Sequence, residues 1–222
     1  MVFNSLEFLI FFPIVSIFYF LIPRSFRWFF LLAASSYFYM AFVPKYILVL
    51  FFLILVDYLL ALLMEKFSSH KNFFLCASIA VNLGILFVFK YFNFFNEITS
   101  GISSLLNLNY PAQTLKLLLP LGLSFHIFQS MSYVIEVYRG KHKAERHLGI
   151  YALYVMFFPQ LVAGPIERPY HLLPQLHKTY SFNSSRVIEG LELMLWGFFK
   201  KLVIADVAAI GVNHVYANLD NS

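Results

Sequence analysis

The chain has 222 residues, of which 60% are hydrophobic, 20% aromatic and only 12% charged, and its mean hydropathy is +0.74. A soluble domain averages about 45–50% apolar and 25% charged residues, so this composition excludes a soluble globule and predicts a polytopic membrane protein. The net charge of +5 is typical of a membrane protein with basic cytoplasmic loops.

The composition also argues against several kinds of site. No basic stripe or aromatic platform stands outside the apolar segments, so we predict no nucleic-acid partner. The single cysteine, Cys76, excludes an internal disulfide, and we interpret it as a packing residue. Since no Cys/His pairs have metal-ligand spacing, we predict no metal site.

Six apolar segments come close to the roughly 20 residues that a membrane-spanning helix needs. They cover residues 6–22, 26–43, 46–64, 73–89, 115–138 and 148–162. In the connector 92–114, apolar residues at helical spacing predict a short helix on the outer surface: Ile98, Ile102, Leu105 and Leu106. From Ser184 onward, one apolar side predicts an amphipathic helix.

The predicted fold class is all-α: a single membrane domain over 1–222, a bundle of about six transmembrane helices with a broken or re-entrant region, and a C-terminal amphipathic helix. Basic residues are concentrated in alternate gaps between the segments. This pattern predicts an N-terminus outside the cell and a cytoplasmic loop over 138–147. The residues concerned are Arg24, Arg27, Lys66, Lys71, Arg139, Lys141, Lys143 and Arg146.

Helix-breaking residues interrupt the last two apolar segments. They are Pro120, Gly122, Pro159, Gly164 and Pro165. Backbone groups freed by a break in a bilayer must find partners inside the protein or in a water-filled cavity. Polar side chains in such places are rare and usually functional, so we look for a site here.

A polar stripe accompanies the first break. In an α-helix, Gln129, Ser132 and Glu136 fall within a sector of about 60°. Two interpretations stay open: the stripe lines a substrate tunnel, or Gln129 and Ser132 bond to neighbouring helices while Glu136 pairs with Arg139. Ser124 and His126 lie just before the stripe. His126 is a candidate base, but a lone histidine among aromatic residues is more often a packed, hydrogen-bonded ring.

The second break has its own polar residues, Gln160, Glu167 and Arg168. One interpretation is a simple helix exit with a salt bridge. The other is a loop folded back into the membrane, with Arg168 facing an anionic part of a substrate.

Four ordered blocks resemble one family. They are Leu-Pro-x-Gly-x-Ser-Phe-x-x-Phe-Gln at 119–129, Ser-Tyr-x-Ile-Glu-Val-Tyr-Arg-Gly at 132–140, Phe-Pro-Gln-Leu-Val-Ala-Gly-Pro-Ile-x-Arg at 158–168, and the run 196–206. Together with the opening 1–5, they resemble the membrane-bound O-acyltransferase family, in its bacterial alginate O-acetylation branch. The resemblance covers the whole chain.

This resemblance implies O-acetyl transfer to an extracytoplasmic polysaccharide such as alginate, at the bacterial inner membrane. It implies an activated acyl donor of the thioester type, polysaccharide-modifying partner proteins and no bound cofactor. The family's catalytic histidine belongs to a Trp-His segment that would lie beyond Ser222, so the resemblance places no catalytic residue in this chain and implies that residues 1–222 alone are inactive. The alternatives are a non-catalytic scaffold of an exopolysaccharide-modifying complex and a transporter fragment.

Overall fold

The computed structural model describes residues 3–42, 44–105, 122–161 and 164–219. These ranges contain helices and no strand, which confirms the all-α prediction. The helices are α1 (Leu6–Leu21), α2 (Arg27–Met40), α3 (Ile47–Lys66), α4 (Lys71–Leu86), α5 (Phe92–Leu105), α6 (Leu123–Tyr138), α7 (Leu148–Met156), α8 (Pro169–His177), α9 (Ser184–Phe199) and α10 (Asp206–Leu219).

Two helical segments in the described ranges are long and apolar enough to cross a bilayer, Pro44–Lys66 and Ser68–Ser103. The second joins α4 to α5 through a π-helical turn at Phe87–Tyr91. The helix predicted in the connector is present as α5, but it continues α4 and is not a separate element. Its place on the outer surface stays a prediction. Leu106 lies outside the described residues, as does the start of the predicted segment 115–138.

The core forms where α3, α4, α6 and α7 pack together. Helix α2 covers the other side of α7, at a contact so close that a Cβ on Gly149 would lie 2.1 Å from the Trp28 ring. Three tyrosines fill the centre without measurable exposure: Tyr133, Tyr151 and Tyr154. Outside this core, large apolar side chains such as Leu48 and Phe73 are exposed, as expected of surfaces that face lipid.

Several charged side chains meet their partners at one end of the bundle. Arg146 pairs with Glu65 at 2.6 Å, and the Tyr138 hydroxyl donates to Asn72. The Arg27 guanidinium donates to the Tyr180 carbonyl at 2.6 Å, and the centroid of the adjacent Trp28 ring lies 4.6 Å from that of the His147 ring, in the loop after α6. The loops that follow α1, α3 and α6 therefore lie together, and we call this the charged end of the bundle.

Helix α7 begins at the charged end and is too short to span a bilayer by itself. It has nine residues and a length of about 14 Å, whereas a hydrocarbon core is about 30 Å thick. After the helix the chain turns back, because His177 pairs with Glu145 at 2.8 Å, at the charged end. The predicted helix 148–162 is thus shorter in the structure, ending at Met156.

The C-terminal helices form one extended rod. Helix α9 begins at the cap Asn183, whose side chain accepts from the Arg186 N–H, and a π-helical turn at Lys200–Ala205 connects it to α10. Helix α9 has no buried residue. Its amphipathic placement at a membrane surface stays a prediction.

Candidate functional site at a helix break

The candidate site begins with a proline near the end of α7. In a continuous helix, the Val155 carbonyl would accept from the N–H of residue 159, but Pro159 has none. The Tyr154 carbonyl would accept from Phe158, but the Phe158 N–H instead donates to the Ser35 hydroxyl at 3.2 Å. Two consecutive carbonyls in the core therefore lose their usual helical donors, and we call this point the α7 break.

Three side chains replace the missing donors. Gln129 donates through Nε2 to the Tyr154 carbonyl at 2.7 Å, and Gln160 donates to the same oxygen at 3.1 Å. The Nδ1 atom of His126 lies 3.0 Å from the Val155 carbonyl. A carbonyl only accepts, so each of these nitrogens must carry a hydrogen, and His126 is the Nδ1–H tautomer.

This arrangement leaves a second set of atoms unpaired. His126 Nε2, Gln129 Oε1 and Gln160 Oε1 are buried and have no partner among the described residues. With the nitrogens committed to carbonyls, all three remaining atoms are acceptors. We call them the acceptor cluster. A buried polar group without a partner costs about 1–3 kcal/mol, so a cluster of three is expensive to keep.

Glycines allow the chain to approach itself at the break. Gly122 caps α6 with φ +75, and a Cβ there would lie 2.7 Å from the Leu161 carbonyl oxygen and 3.4 Å from His126 Nε2. A Cβ on Gly164 would lie 2.4 Å from Gln160 Cα. Both positions therefore need glycine. Pro165 follows in a stretch without regular secondary structure, and Pro120 lies outside the described residues.

An ion pair lies beside the α7 break, on the side nearer the charged end. Glu136 is buried, and its Oε1 lies 3.2 Å from Arg168 Nη1. Arg168 itself is largely exposed, and Glu136 Oε2 has no partner among the described residues. The interpretation in which Glu136 pairs with Arg139 is wrong, because the returning chain brings Arg168 to Glu136. Glu167 pairs instead with His171 at 2.8 Å.

The structure brings together five of the predicted residues, His126, Gln129, Glu136, Gln160 and Arg168, along α6 and the α7 break. Ser124 and Ser132 are only half-buried and make no side-chain hydrogen bond to described residues. At about 100° per residue, Ser132 and the core-facing Tyr133 lie on opposite sides of Gln129. Ser132 therefore lies at the edge of the buried face of α6. The buried polar stripe contains Gln129 and Glu136 but not Ser132, so it is narrower than expected.

Sequence reasoning missed most of a second polar group, centred on Asp57 in α3. Asp57 accepts from Ser78 at 2.5 Å and from Asn82 at 2.9 Å. It also accepts from Ser130, whose hydroxyl lies 2.7 Å from the Tyr151 hydroxyl. We call these five residues the Asp57 network. An acid within an apolar segment was the available signal, but its partners are distant in sequence.

Within the described residues, no three His, Cys, Asp or Glu side chains come together as a metal site would need.

Comparison with known proteins finds relatives over nearly the whole chain. It is 35% identical over 222 residues to the "probable alginate O-acetylase AlgI" of Pseudomonas putida, covering 98% of this chain and 45% of that protein. It is 34% identical over 226 residues to the protein of the same name in Azotobacter vinelandii, covering 99% of this chain and 44% of the relative. A "peptidoglycan O-acetyltransferase" of Helicobacter pylori is 30% identical over 207 residues, covering 81% and 38%.

The chain thus spans less than half the length of the curated relatives that it matches. The position of a catalytic histidine beyond Ser222 stays a prediction, and Ser222 itself lies outside the described residues. No family profile and no solved structure matches the chain.

Proposed function

We propose that this chain forms part of an enzyme that O-acetylates an extracytoplasmic polysaccharide. The similarity to a segment of O-acetyltransferases supports the resemblance to the membrane-bound O-acyltransferases. One observation carries the proposal: the similarity over 98% of the chain to a protein named for O-acetylating alginate. A relative named for O-acetylating peptidoglycan supports the wider class of polysaccharide acceptors.

The membrane arrangement that we propose is based on the charged end. If that end faces the cytoplasm, α1, α2, α3, the α4–α5 rod and α6 cross the membrane in turn, and the N-terminus lies outside. Helix α7 then enters from the cytoplasm, stops at the α7 break and returns as a re-entrant hairpin. The exposed, largely apolar α9–α10 rod follows as the interfacial helix. The bacterial inner membrane is the location that suits such an enzyme.

The α7 break has the features of a tunnel wall. Irregular backbone is tolerated at membrane depth only where protein buries it or where it lines a cavity. In this proposal the reacting histidine lies in the rest of the enzyme, and this chain binds and orients the substrates. Gln129, Gln160 and His126 hold the opened helix end in place, and Arg168 faces an anionic part of an acyl thioester donor. Polysaccharide-modifying proteins are the proposed partners.

Acetyl transfer in membrane vesicles tests the proposal. The protein is expressed from its complete reading frame and incubated with a radiolabelled acetyl thioester and alginate. We expect alkali-labile label in the polysaccharide. Arg168→Ala is expected to lower the rate roughly tenfold, which corresponds to about 1.4 kcal/mol of lost transition-state stabilisation.

Arg186→Ala is the matched control, because Arg186, in α9, is also exposed but stacks on the Tyr180 ring and makes no ion pair with Glu136. An inserted protein that acetylates neither alginate nor peptidoglycan would contradict the proposal. Residues 1–222 alone are expected to show no transfer.

A further inference from the structure

A polar pocket of about 250 Å³ lies at the charged end, where the chain between α1 and α2 meets the start of α7 and the end of α8. Three cationic side chains line it, those of Arg24, Arg27 and Lys178, and among its described lining residues none is acidic. Glu145, which bonds to the lining residue His177, is not itself part of the wall. We call this cavity the basic pocket.

One of the three cations is held in place by the protein itself. The Arg27 guanidinium donates to the backbone carbonyls of Phe20, Ile22 and Tyr180 at distances between 2.6 and 3.4 Å. It also lies 4.8 Å from the centroid of the Tyr19 ring. An arginine has five N–H donors, so donors remain for a ligand. Because the side chain is already ordered, binding to it costs little further entropy.

The other polar groups favour an anion as well. Arg24 and Lys178 are exposed, and none of the three cations makes an ion pair with a described residue. The Nδ1 atom of His147 accepts from the Ile150 N–H at 3.2 Å, so the hydrogen of the neutral ring is on Nε2 and can be donated. The basic pocket therefore carries positive charge that no carboxylate in its wall compensates.

The size of the basic pocket restricts its ligand. Sites that enclose a drug-sized molecule measure about 300–1,000 Å³, whereas this pocket measures about 250 Å³. It can hold a phosphate with a small substituent, but it is too small to enclose a nucleotide. Arginine and lysine bind phosphate through strong, charge-assisted hydrogen bonds. The chemistry that fits is therefore a small phosphate ester.

The surroundings indicate that a lipid supplies the phosphate. Phe18, Leu21 and Phe29, which are neighbours of lining residues in the chain, are exposed, as on a surface that faces lipid. Tyr19 and Trp28 line the basic pocket, and these residue types are enriched at the level of the lipid headgroups. Basic pockets between transmembrane helices bind the headgroups of anionic lipids on the cytoplasmic side.

We propose that the basic pocket binds the phosphate headgroup of an anionic phospholipid, with Arg24, Arg27 and Lys178 supplying the charge and His147 a further donor. No bond is made or broken there, and the site is distinct from the α7 break. Since Lys178 follows α8, the basic pocket is complete only when the chain has returned to the charged end. A bound lipid therefore stabilises that return, a role that goes beyond acetyl transfer.

Binding of defined probes tests the proposal. The protein, expressed from its complete reading frame, is purified in neutral detergent, stripped of lipid and titrated under native mass spectrometry. Three probes are added separately: dioleoyl phosphatidylglycerol, dioleoyl phosphatidylcholine and soluble glycerol phosphate. We expect one saturable site for phosphatidylglycerol, with an affinity at least about tenfold higher than for phosphatidylcholine, which corresponds to 1.4 kcal/mol.

Two double variants with the same change of net charge separate the basic pocket from the surface. Arg24→Gln with Lys178→Gln should weaken binding of phosphatidylglycerol roughly thirtyfold, because each basic side chain near a headgroup contributes about 1 kcal/mol. Lys66→Gln with Arg139→Gln removes two exposed cations near the charged end that do not line the pocket, and should leave binding unaltered. All four side chains are exposed, so thermal unfolding should show that both variants stay folded.

Three results would overturn the proposal. Equal affinity for the two lipids would remove the preference for an anion. Equal weakening in the two double variants would show that general surface charge holds the lipid. Glycerol phosphate that binds as tightly as phosphatidylglycerol would make this a site for a soluble phosphate ester. Because the readout is binding, these failures leave the proposed acetyl transfer standing, and absent transfer leaves lipid binding measurable.

Discussion

The Asp57 network and the acceptor cluster both include side chains of α6, Ser130 in the first and Gln129 in the second, but they differ in how their hydrogen bonds are used. At Asp57, every contact points inward: Ser78, Asn82 and Ser130 all donate to one carboxylate. At the α7 break, donors are used on two backbone carbonyls and three acceptors are left over. The Asp57 carboxylate is fully used, although Asn82 Oδ1 has no partner among the described residues, and such a converging network favours one rigid packing. At the break, three different side chains each leave an acceptor unpaired.

The largest effect on stability is expected at the Asp57 network. Asp57→Leu leaves three buried donors without their acceptor, so we expect a loss of about 3 kcal/mol or more in the free energy of unfolding. Thermal unfolding in detergent measures it. Asp206→Leu is the matched control, because Asp206 is exposed and paired with Lys201, and should change stability by about 0–1 kcal/mol. Equal effects at the two positions would remove the distinction between the Asp57 network and the surface.

A smaller effect is expected where the chain folds back. Gly164→Ala places a methyl group 2.4 Å from Gln160 Cα, so Gln160 must move and the protein should lose about 1–3 kcal/mol. The same measurement applies. Gly190→Ala, in α9, meets nothing within 4 Å and should be neutral or slightly stabilising. An unchanged stability in Gly164→Ala would contradict the close approach of Gly164 to Gln160.

The smallest effect on stability is expected at Gln129. The Tyr154 carbonyl keeps its bond from Gln160 when Gln129 is changed, and Gln129→Leu also removes one unpaired buried oxygen. Gain and loss offset, so we expect a change within about 1 kcal/mol. Thermal unfolding in detergent measures this change too. A loss of stability as large as that of Asp57→Leu would make Gln129 a structural residue and merge the two regions.

The sequence was informative where the signal is local. Composition and segment length predicted the helical class, and Pro159 with Gly164 located the break. The partners of the break could also be anticipated in part, since Gln129 and Glu136 share a face of α6. The sequence did not decide between the two alternatives for the chain after Pro159, a simple helix exit and a loop that folds back. Whether it crosses the membrane or turns back depends on contacts such as Arg168 with Glu136, which are 32 residues apart.

Other features depend on tertiary packing in the same way. The continuity of α4 with α5 depends on a π-helical turn at Phe87–Tyr91, and no Gly or Pro marks that turn. The donors around Asp57 come from α4 and α6, and nothing local to Asp57 distinguishes a network from a single hydrogen bond. Ser132 was included for its angle alone, but the buried face of α6 is centred on Tyr133.

The return of the chain at the α7 break is the geometry on which both proposals depend, and side-specific labelling tests it directly. In a Cys76→Ser background, single cysteines replace Lys141, in the loop after α6, and Tyr170, exposed in α8. An impermeant maleimide is applied to intact spheroplasts and to inverted vesicles. We expect both cysteines to react in inverted vesicles only. Labelling of Tyr170→Cys from the side opposite to Lys141→Cys would make α7 part of a spanning helix and contradict the account.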